Sequence, residues 1–344
     1  MSVSVVIPLF NGAHWIEETL NSVLAQELQP ERVIVVDDGS TDESPNLVRA
    51  YPNVKLVPNE GKGSSVARNI GLRYTCSRYI AFLDQDDLWH PSHLRVLVDK
   101  LERMPGANTA IAVASCFSSA VPDYDVSPGT ERFVNPWSRY PFTIGVEGPS
   151  VAVHRACTLP EVGLWEEGAT GMGDALIFLK LATLHPLVQA AECTVGKRIH
   201  ASQQWLQVRE LGVSYLGFRY NVMRRALEFR QCHAAEDPDL PKYSRRLEAL
   251  RSLQSLTAAI ESSRFDEIAP VARELEMRIG EDSPHYLPHA FYCLMGALFK
   301  TYDAEVLRKQ RDEIFTRVLQ YWPDESTATR RALERVIGEQ PLVS

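Results

Sequence analysis

Short apolar runs rich in β-branched residues alternate with amphipathic stretches through the first two hundred positions. Residues 3–9, VSVVIPL, read as a buried strand. The stretch that follows places Ile16, Leu20, Val23 and Leu24 on one helical face. RVIVVDDGS repeats the first pattern and closes on Asp37, Asp38 and Gly39. Ser40 or Thr41 then caps a helix with acidic residues in its first turn. NVKLVP predicts a third strand, GSSVARNIGLRYT a short helix and RYIAFL a fourth strand. Alternation of this kind predicts an α/β fold, a mostly parallel sheet with helices on both faces. Ligands bind such sheets at the carboxyl ends of the strands. Three of these strands end in polar or acidic residues, at Phe10-Asn11, Asp37-Asp38 and Asp84 to Asp87. One pocket is expected to collect them.

NTAIAVASCF predicts a further strand, and the Pro- and Gly-rich stretch from Ser118 to Pro149 predicts irregular loops. GMGDALIFLKLATLHP has Leu176, Leu179 and Ala182 at helical spacing with Asp174 in the first turn, and PLVQAAECTVGKRIH is extended. From about Ser202 the pattern changes to helical spacing alone. Leu211, Tyr215, Phe218, Val222 and Phe229 mark one amphipathic helix, and Leu247, Leu250, Leu253 and Leu256 a second. Leu287, Phe291, Leu294 and Leu298 mark a third, and Leu307, Ile314, Val318 and Trp322 a fourth. The chain is therefore expected to divide into an α/β domain, residues 1–203, and an all-helical domain, residues 204–344.

Composition narrows the class. The 344 residues are 45% hydrophobic and 23% charged, with a net charge of -8, as a soluble globular chain requires. Neither predicted domain has the basic excess of a nucleic-acid binder. The six cysteines are scattered and form no CxxC pair, which argues against a zinc cluster and for reduced thiols in the cytoplasm. No apolar run approaches the roughly 20 residues of a membrane helix, so attachment at the inner face of a membrane would be peripheral.

The acidic strand end, YIAFLDQDDLWHP, is the most pointed signal. Asp84, Asp86 and Asp87 repel one another and are costly to desolvate. Either water screens them or positive charge sits among them. Carboxylates at the rim of a nucleotide-sized pocket suit a hard divalent cation bridging to phosphate. The competing reading is an exposed acidic turn ahead of the next helix. NEGKGSS lacks the P-loop spacing, so Lys62 is only a weak phosphate ligand, and no GxGxxG follows the first strand.

Taken in order, VSVVIPLFN, VIVVDDGSTDES, GSSVARNIGL and YIAFLDQDDLWHP resemble an inverting nucleotide-sugar glycosyltransferase of family 2 with the GT-A, Rossmann-like fold. A weaker continuation runs through VGLWEEG, GMGDALIFLKL and RIHASQQ, so the resemblance covers about residues 2–205. It implies that Pro8, Phe10 and Asn11 border the nucleoside, with Phe10 against the base. Asp37 or Asp38, preferably the second, would accept the imino hydrogen of a uracil-like base. Arg68 would face the diphosphate. Asp84, Asp86 and Asp87 match the DxD-type motif; Asp84 and Asp86 border the nucleotide-sugar, and Asp86, Asp87 and His200 would hold Mn²⁺ or Mg²⁺. Asp174 takes the place of the base that deprotonates the acceptor, with Gly173 where the family usually has Glu, and Glu166 and Glu167 as substitutes. Trp165 would line the acceptor pocket or pack in the core. The plainer alternatives are helix capping for Asp37, Asp38 and Asp174, a surface ion pair for Arg68 and a core position for Phe10.

The resemblance thus implies a UDP-linked donor and a saccharide, lipid-linked or peptide hydroxyl acceptor, with no nucleic acid. The C-terminal helices would dock acceptor or form a homodimer. A non-catalytic nucleotide-sugar-binding protein is the rival of a different class. A nucleotidyltransferase is disfavoured because PLFNGAHWIEE lacks a Gly- and Lys/Arg-rich triphosphate loop.

Overall fold

The computed structural model describes residues 1–118, 122, 124–127, 129, 131–139, 148–168, 172–200 and 213–261, with isolated positions from 270 to 277. The third and fourth helices expected from sequence lie outside the described residues. The chain divides into two compact units, residues 1–138 with 144–201, and residues 139–143 with 202–344.

The first unit is built on a nine-stranded sheet. Its strands are β1 (Val3–Leu9), β2 (Arg32–Asp37), β3 (Val54–Pro58), β4 (Tyr79–Phe82), β5 (Leu88–Trp89), β6 (Thr109–Phe117), β7 (Arg132–Val134), β8 (Ala152–Arg155) and β9 (Leu187–Arg198). Their order is β3-β2-β1-β4-β8-β6-β9-β5, with β7 also on β9. The side from β3 to β4 is parallel throughout. Beyond β4 the sheet is mixed: β8 is antiparallel to both β4 and β6, while β6 and β9 are parallel. β1 and β4 are buried almost end to end, as central strands of a doubly covered sheet require. The helices are α1 (Ile16–Leu24), α2 (Ser44–Arg49), α3 (Ser64–Leu72), α4 (His93–Arg103), α5 (Thr158–Glu161) and α6 (Gly173–Leu184).

Register brings the polar strand ends together. Leu9 pairs with Asp37, and Val6 with Phe82. Phe10-Asn11, Asp37-Asp38 and Asp84 therefore leave the same carboxyl edge of neighbouring parallel strands. Two fully buried histidines tie the far half of the sheet: His154 Nδ1 lies 2.9 Å from Thr109 Oγ1, and His93 Nδ1 lies 2.8 Å from Thr194 Oγ1. Burial holds both imidazoles neutral, with pKa values lowered to about 3, and His90 adds to the effect at His93.

The second unit contains α7 (Val213–His233) and α8 (Leu240–Glu261), which pack against each other. Val222, Met223, Ala226, Leu227, Leu247, Leu250 and Leu253 are buried. Arg230 pairs with Asp237 at 2.6 Å and lies 5.4 Å from the Tyr243 ring centre. No described helix is long and apolar enough to cross a membrane.

Candidate active site

The loop between β4 and β5 carries the three aspartates, and each meets a basic side chain of the protein itself. Asp84 Oδ1 accepts a hydrogen bond from Arg68 on α3 at 2.6 Å. Asp86 Oδ2 lies 2.8 Å from His200 Nε2. Asp87 Oδ2 lies 3.3 Å from Lys197 Nζ at the end of β9. Positive charge does sit among the carboxylates, and it arrives from α3 and from the β9 end.

The three aspartates face different ways. Asp87 points inward and is 1% exposed. Ser150 donates to Asp87 Oδ2 at 2.6 Å, and the Arg198 N–H donates to Oδ1 at 3.2 Å. Burial pushes its pKa up; Lys197 opposes this, while Asp86 and Asp84 reinforce it. Burial also raises Asp86, helped by Asp84 and opposed by His200 and Lys197. Burial acts against the ammonium of Lys197, yet Asp87, Asp84 and Asp174 hold its pKa above the ordinary lysine value.

The loop backbone is fixed as firmly as its side chains. Thr19 Oγ1, buried on α1, lies 2.8 Å from the Gln85 carbonyl and 3.1 Å from the Asp87 carbonyl. Arg198 Nε donates to the Asp86 carbonyl at 3.1 Å. The Arg198 guanidinium lies over the rings of Trp15, at 4.5 Å, and of Phe117, at 4.6 Å, and its Nη2 reaches Glu18 at 2.5 Å.

Asp174 stands in the first turn of α6 and accepts the Ala175 N–H at 2.8 Å. Burial raises its pKa; the Ala175 N–H, Arg68 and Lys197 lower it, and Asp84 raises it. Those neighbours place it in the same electrostatic cluster. Gly148 marks the junction: a methyl added there would lie 3.1 Å from Lys197 Nζ and 3.8 Å from Asp174 Oδ2. With φ at 94°, this position also favours glycine. Glu166 lies 3.4 Å from Lys180, and Glu167 is exposed.

At the nucleoside side, Phe10 is 53% exposed and Pro8 is half-buried in β1. Phe10 is not an ordinary core position. Asn11, at φ 48°, donates its N–H to Ser40 at 3.0 Å and accepts the Thr41 N–H at 2.8 Å. Asp37 accepts the Ser40 N–H at 2.9 Å. Asp38 accepts the Gly63 N–H at 2.8 Å and an Asn59 amide hydrogen at 2.5 Å. Both carboxylates thus hold neighbouring loops, although each has lone pairs beyond those in use. Arg68 is buried beside Trp165, 4.5 Å from the ring centre, and its Nε has no partner among the described residues. Trp165 is 1% exposed and packs edge-on to Phe82, as a core residue.

Among the described residues no three His, Cys, Asp or Glu side chains converge as a metal cage. The Asp86–His200 pair supplies an oxygen and a nitrogen facing each other. Asp86 would offer a hard divalent ion a carboxylate oxygen and His200 an imidazole nitrogen, and the rest of its ligands would have to come from substrate and water. Asp87 instead turns both oxygens toward protein donors, Oδ2 to Ser150 and Lys197 and Oδ1 to the Arg198 N–H. Sequence reasoning missed Ser150, Lys197, Arg198 and Gln85. Its one available signal was two adjacent cations in a buried strand, Lys197-Arg198.

Residues 4–150 match the family model for glycosyl transferase family 2. The Escherichia coli enzyme named UDP-Glc:alpha-D-GlcNAc-diphosphoundecaprenol beta-1,3-glucosyltransferase WfgD is 36% identical over 102 residues, covering 29% of this chain and 40% of that one. An uncharacterized glycosyltransferase of Rickettsia prowazekii is 24% identical over 209 residues, covering 58% and 65%. A third, from Rickettsia conorii, is 33% identical over 103 residues, covering 29% and 17%. The chain spans less than two thirds of these curated relatives. Among solved structures, S. aureus TarS 1–349 in complex with UDP-GlcNAc aligns with a TM-score of 0.58 at 18% identity, covering 100% of this chain and 93% of that one. At that identity the likeness bears on the fold. Residues 4–150 are thus similar to family 2 glycosyl transferases, and the chain shares the GT-A fold.

Proposed function

We propose that this chain is an inverting, metal-dependent glycosyltransferase that moves a sugar from a UDP-linked donor to a hydroxyl acceptor. The observation that carries the reading is one cluster holding the Asp86–His200 pair, Arg68 with an Nε unpartnered among the described residues, and Asp174 with a raised pKa. The printed names of TarS and WfgD support a UDP-linked donor, and that of WfgD supports a lipid-linked acceptor.

In this reading Phe10 stacks on the base, Pro8 and Asn11 border the nucleoside, and Asp38 or Asp37 accepts from the base edge. Asp84 borders the nucleotide-sugar and orients Arg68. Asp86 and His200 would hold the cation, which neutralises charge on the leaving diphosphate when bound. Arg68 adds its guanidinium to the same oxygens. Asp174 takes the acceptor proton as the hydroxyl oxygen bonds to the anomeric carbon and the bond to the diphosphate breaks. Burial favours this by making the carboxylate more basic than an exposed one. Asp87 anchors the acidic loop from beneath. Residues 1–203 form the catalytic domain, and residues 204–344 dock acceptor or a second copy of the chain. The site is cytoplasmic, at the inner membrane face where the acceptor is lipid-linked.

A thermal-shift panel of nucleoside diphosphates and nucleotide-sugars, with Mn²⁺ or EDTA, tests the donor. Ligand at a hundredfold over Kd adds about 2.7 kcal/mol, or roughly 5–10 °C for a domain of this size. UDP and a UDP-sugar should stabilise the protein in Mn²⁺ and less in EDTA. Stabilisation by nucleoside triphosphates alone would sink the reading.

A further inference from the structure

Gln85 stands between two aspartates and looks like a spacer. Its side chain nevertheless makes a matched pair of hydrogen bonds to one backbone residue. Its Oε1 accepts the Phe10 N–H at 2.7 Å, and its Nε2 donates to the Phe10 carbonyl at 3.0 Å. Both polar backbone groups of Phe10 are therefore held by a single amide plane. Only one orientation of the amide satisfies both, since the nitrogen donates and the oxygen accepts. A glutamate cannot donate to the carbonyl, and an asparagine is one methylene shorter.

The surroundings make this contact specific. Gly12 touches the amide so closely that an added methyl would lie 2.7 Å from Gln85 Oε1 and 2.9 Å from its Cδ. The anchor end is fixed, because the Gln85 carbonyl already accepts from buried Thr19. The far end is not held by packing: the Phe10 ring is 53% exposed. Its direction follows from its backbone, and that backbone is held on one side by Gln85 and on the other by the turn at Asn11, φ 48°.

We propose that Gln85 is a positioning residue for nucleotide binding: its amide clips the Phe10 loop to the acidic loop, so that the ring is pre-set for the base. The proposal rests on the reading of Phe10 as the base-stacking residue. The clip also joins the nucleobase end of the site to the diphosphate end through one side chain. A merely structural residue would alter stability without its effect on UDP depending on the ring at position 10.

Titration calorimetry of UDP in Mn²⁺ on the full chain tests this, with Gln85→Leu, Gly12→Ala, Phe10→Ala and the two doubles that combine Phe10→Ala with each of the others. Phe10→Ala should weaken UDP roughly tenfold, the scale of one lost base stack. Gln85→Leu and Gly12→Ala should each weaken it roughly fivefold, the scale of one or two net hydrogen bonds. Each double should bind within twofold of Phe10→Ala alone, because the clip has nothing left to orient. Gly12→Ala crowds the Gln85 amide without replacing it and keeps the test decisive if Gln85→Leu fails to fold. The clip is overturned if Phe10→Ala weakens UDP while the other two bind like the parent, or if their losses add in full to that of Phe10→Ala. If Phe10→Ala itself binds like the parent, the base-stacking reading is what has failed, and the clip falls with it.

Discussion

Asp87→Asn separates two roles for the most buried carboxylate of the acidic loop. The carboxylate receives hydrogen bonds from Ser150 at 2.6 Å and the Arg198 N–H at 3.2 Å, with Lys197 at 3.3 Å. An asparagine has the same shape, but it loses the charge and turns an NH2 group toward one of these donors. A hydrogen bond to a charged group contributes about 1.5–3 kcal/mol. Breaking a fully buried pair costs about 3–5 kcal/mol. Asp87 is 1% exposed but Lys197 is 23% exposed and keeps Asp84 and Asp174 nearby, so the lower part of that range applies. The expected loss is about 2–3 kcal/mol, which lowers Tm by roughly 5–10 °C. The assay is scanning calorimetry of the full chain in EDTA and in Mn²⁺, beside UDP titrations in both. An anchor loses the same stability with or without metal, and its effect on UDP is the same in both. A metal ligand instead keeps its Tm in EDTA and loses UDP affinity only in Mn²⁺. A variant within about 1 °C of the parent in EDTA, with an affinity loss confined to Mn²⁺, would refute the anchor argument.

Asp174→Asn should leave UDP affinity within about twofold and reduce sugar transfer roughly 10²-fold or more; retention of most of the transfer rate would move the base to Glu166 or Glu167. The buried histidines make a signed pH prediction. Their folded pKa values, about 3, lie below the unfolded value near 6.5, so their stability contribution is complete above pH 6.5 and is lost as pH falls toward 3. Each should steepen that loss by about 1.4 kcal/mol per pH unit. Replacing His93 or His154 by Gln should make the slope of unfolding free energy between pH 5.5 and 4.5 shallower by nearly that amount, measured by denaturant titration. The raised carboxylates act in the opposite direction but are common to both proteins and cancel in the comparison. An unchanged slope would show that the histidine is protonated in the folded state.

The parallel half of the sheet was legible because its strands are apolar on both faces and its acidic ends share one topological edge. Val3–Leu9, Arg32–Asp37 and Tyr79–Phe82 each announce themselves locally, and a parallel arrangement brings Phe10, Asp37, Asp38 and Asp84 to one side without further information. β8 did not announce itself: AVHR is four residues long, with a histidine and an arginine, and it becomes a strand only by filling the gap between β4 and β6. The same division runs through the site. Three clustered carboxylates require positive charge on local grounds, and that much can be read from Asp84, Asp86 and Asp87. Which cations answer is a long-range fact. Arg68 is 16 positions from its partner, and His200 is 114 from its own. Lys197 reaches Asp87 only because β9 ends beside the acidic loop, where β5 pairs Leu88 with Gly196. A metal was the natural expectation while the carboxylates had no partners in view. With Arg68 on Asp84 and Lys197 on Asp87, the protein neutralises two of the three from within, which leaves Asp86 and His200 as the pair where a diphosphate-bound ion remains chemically reasonable.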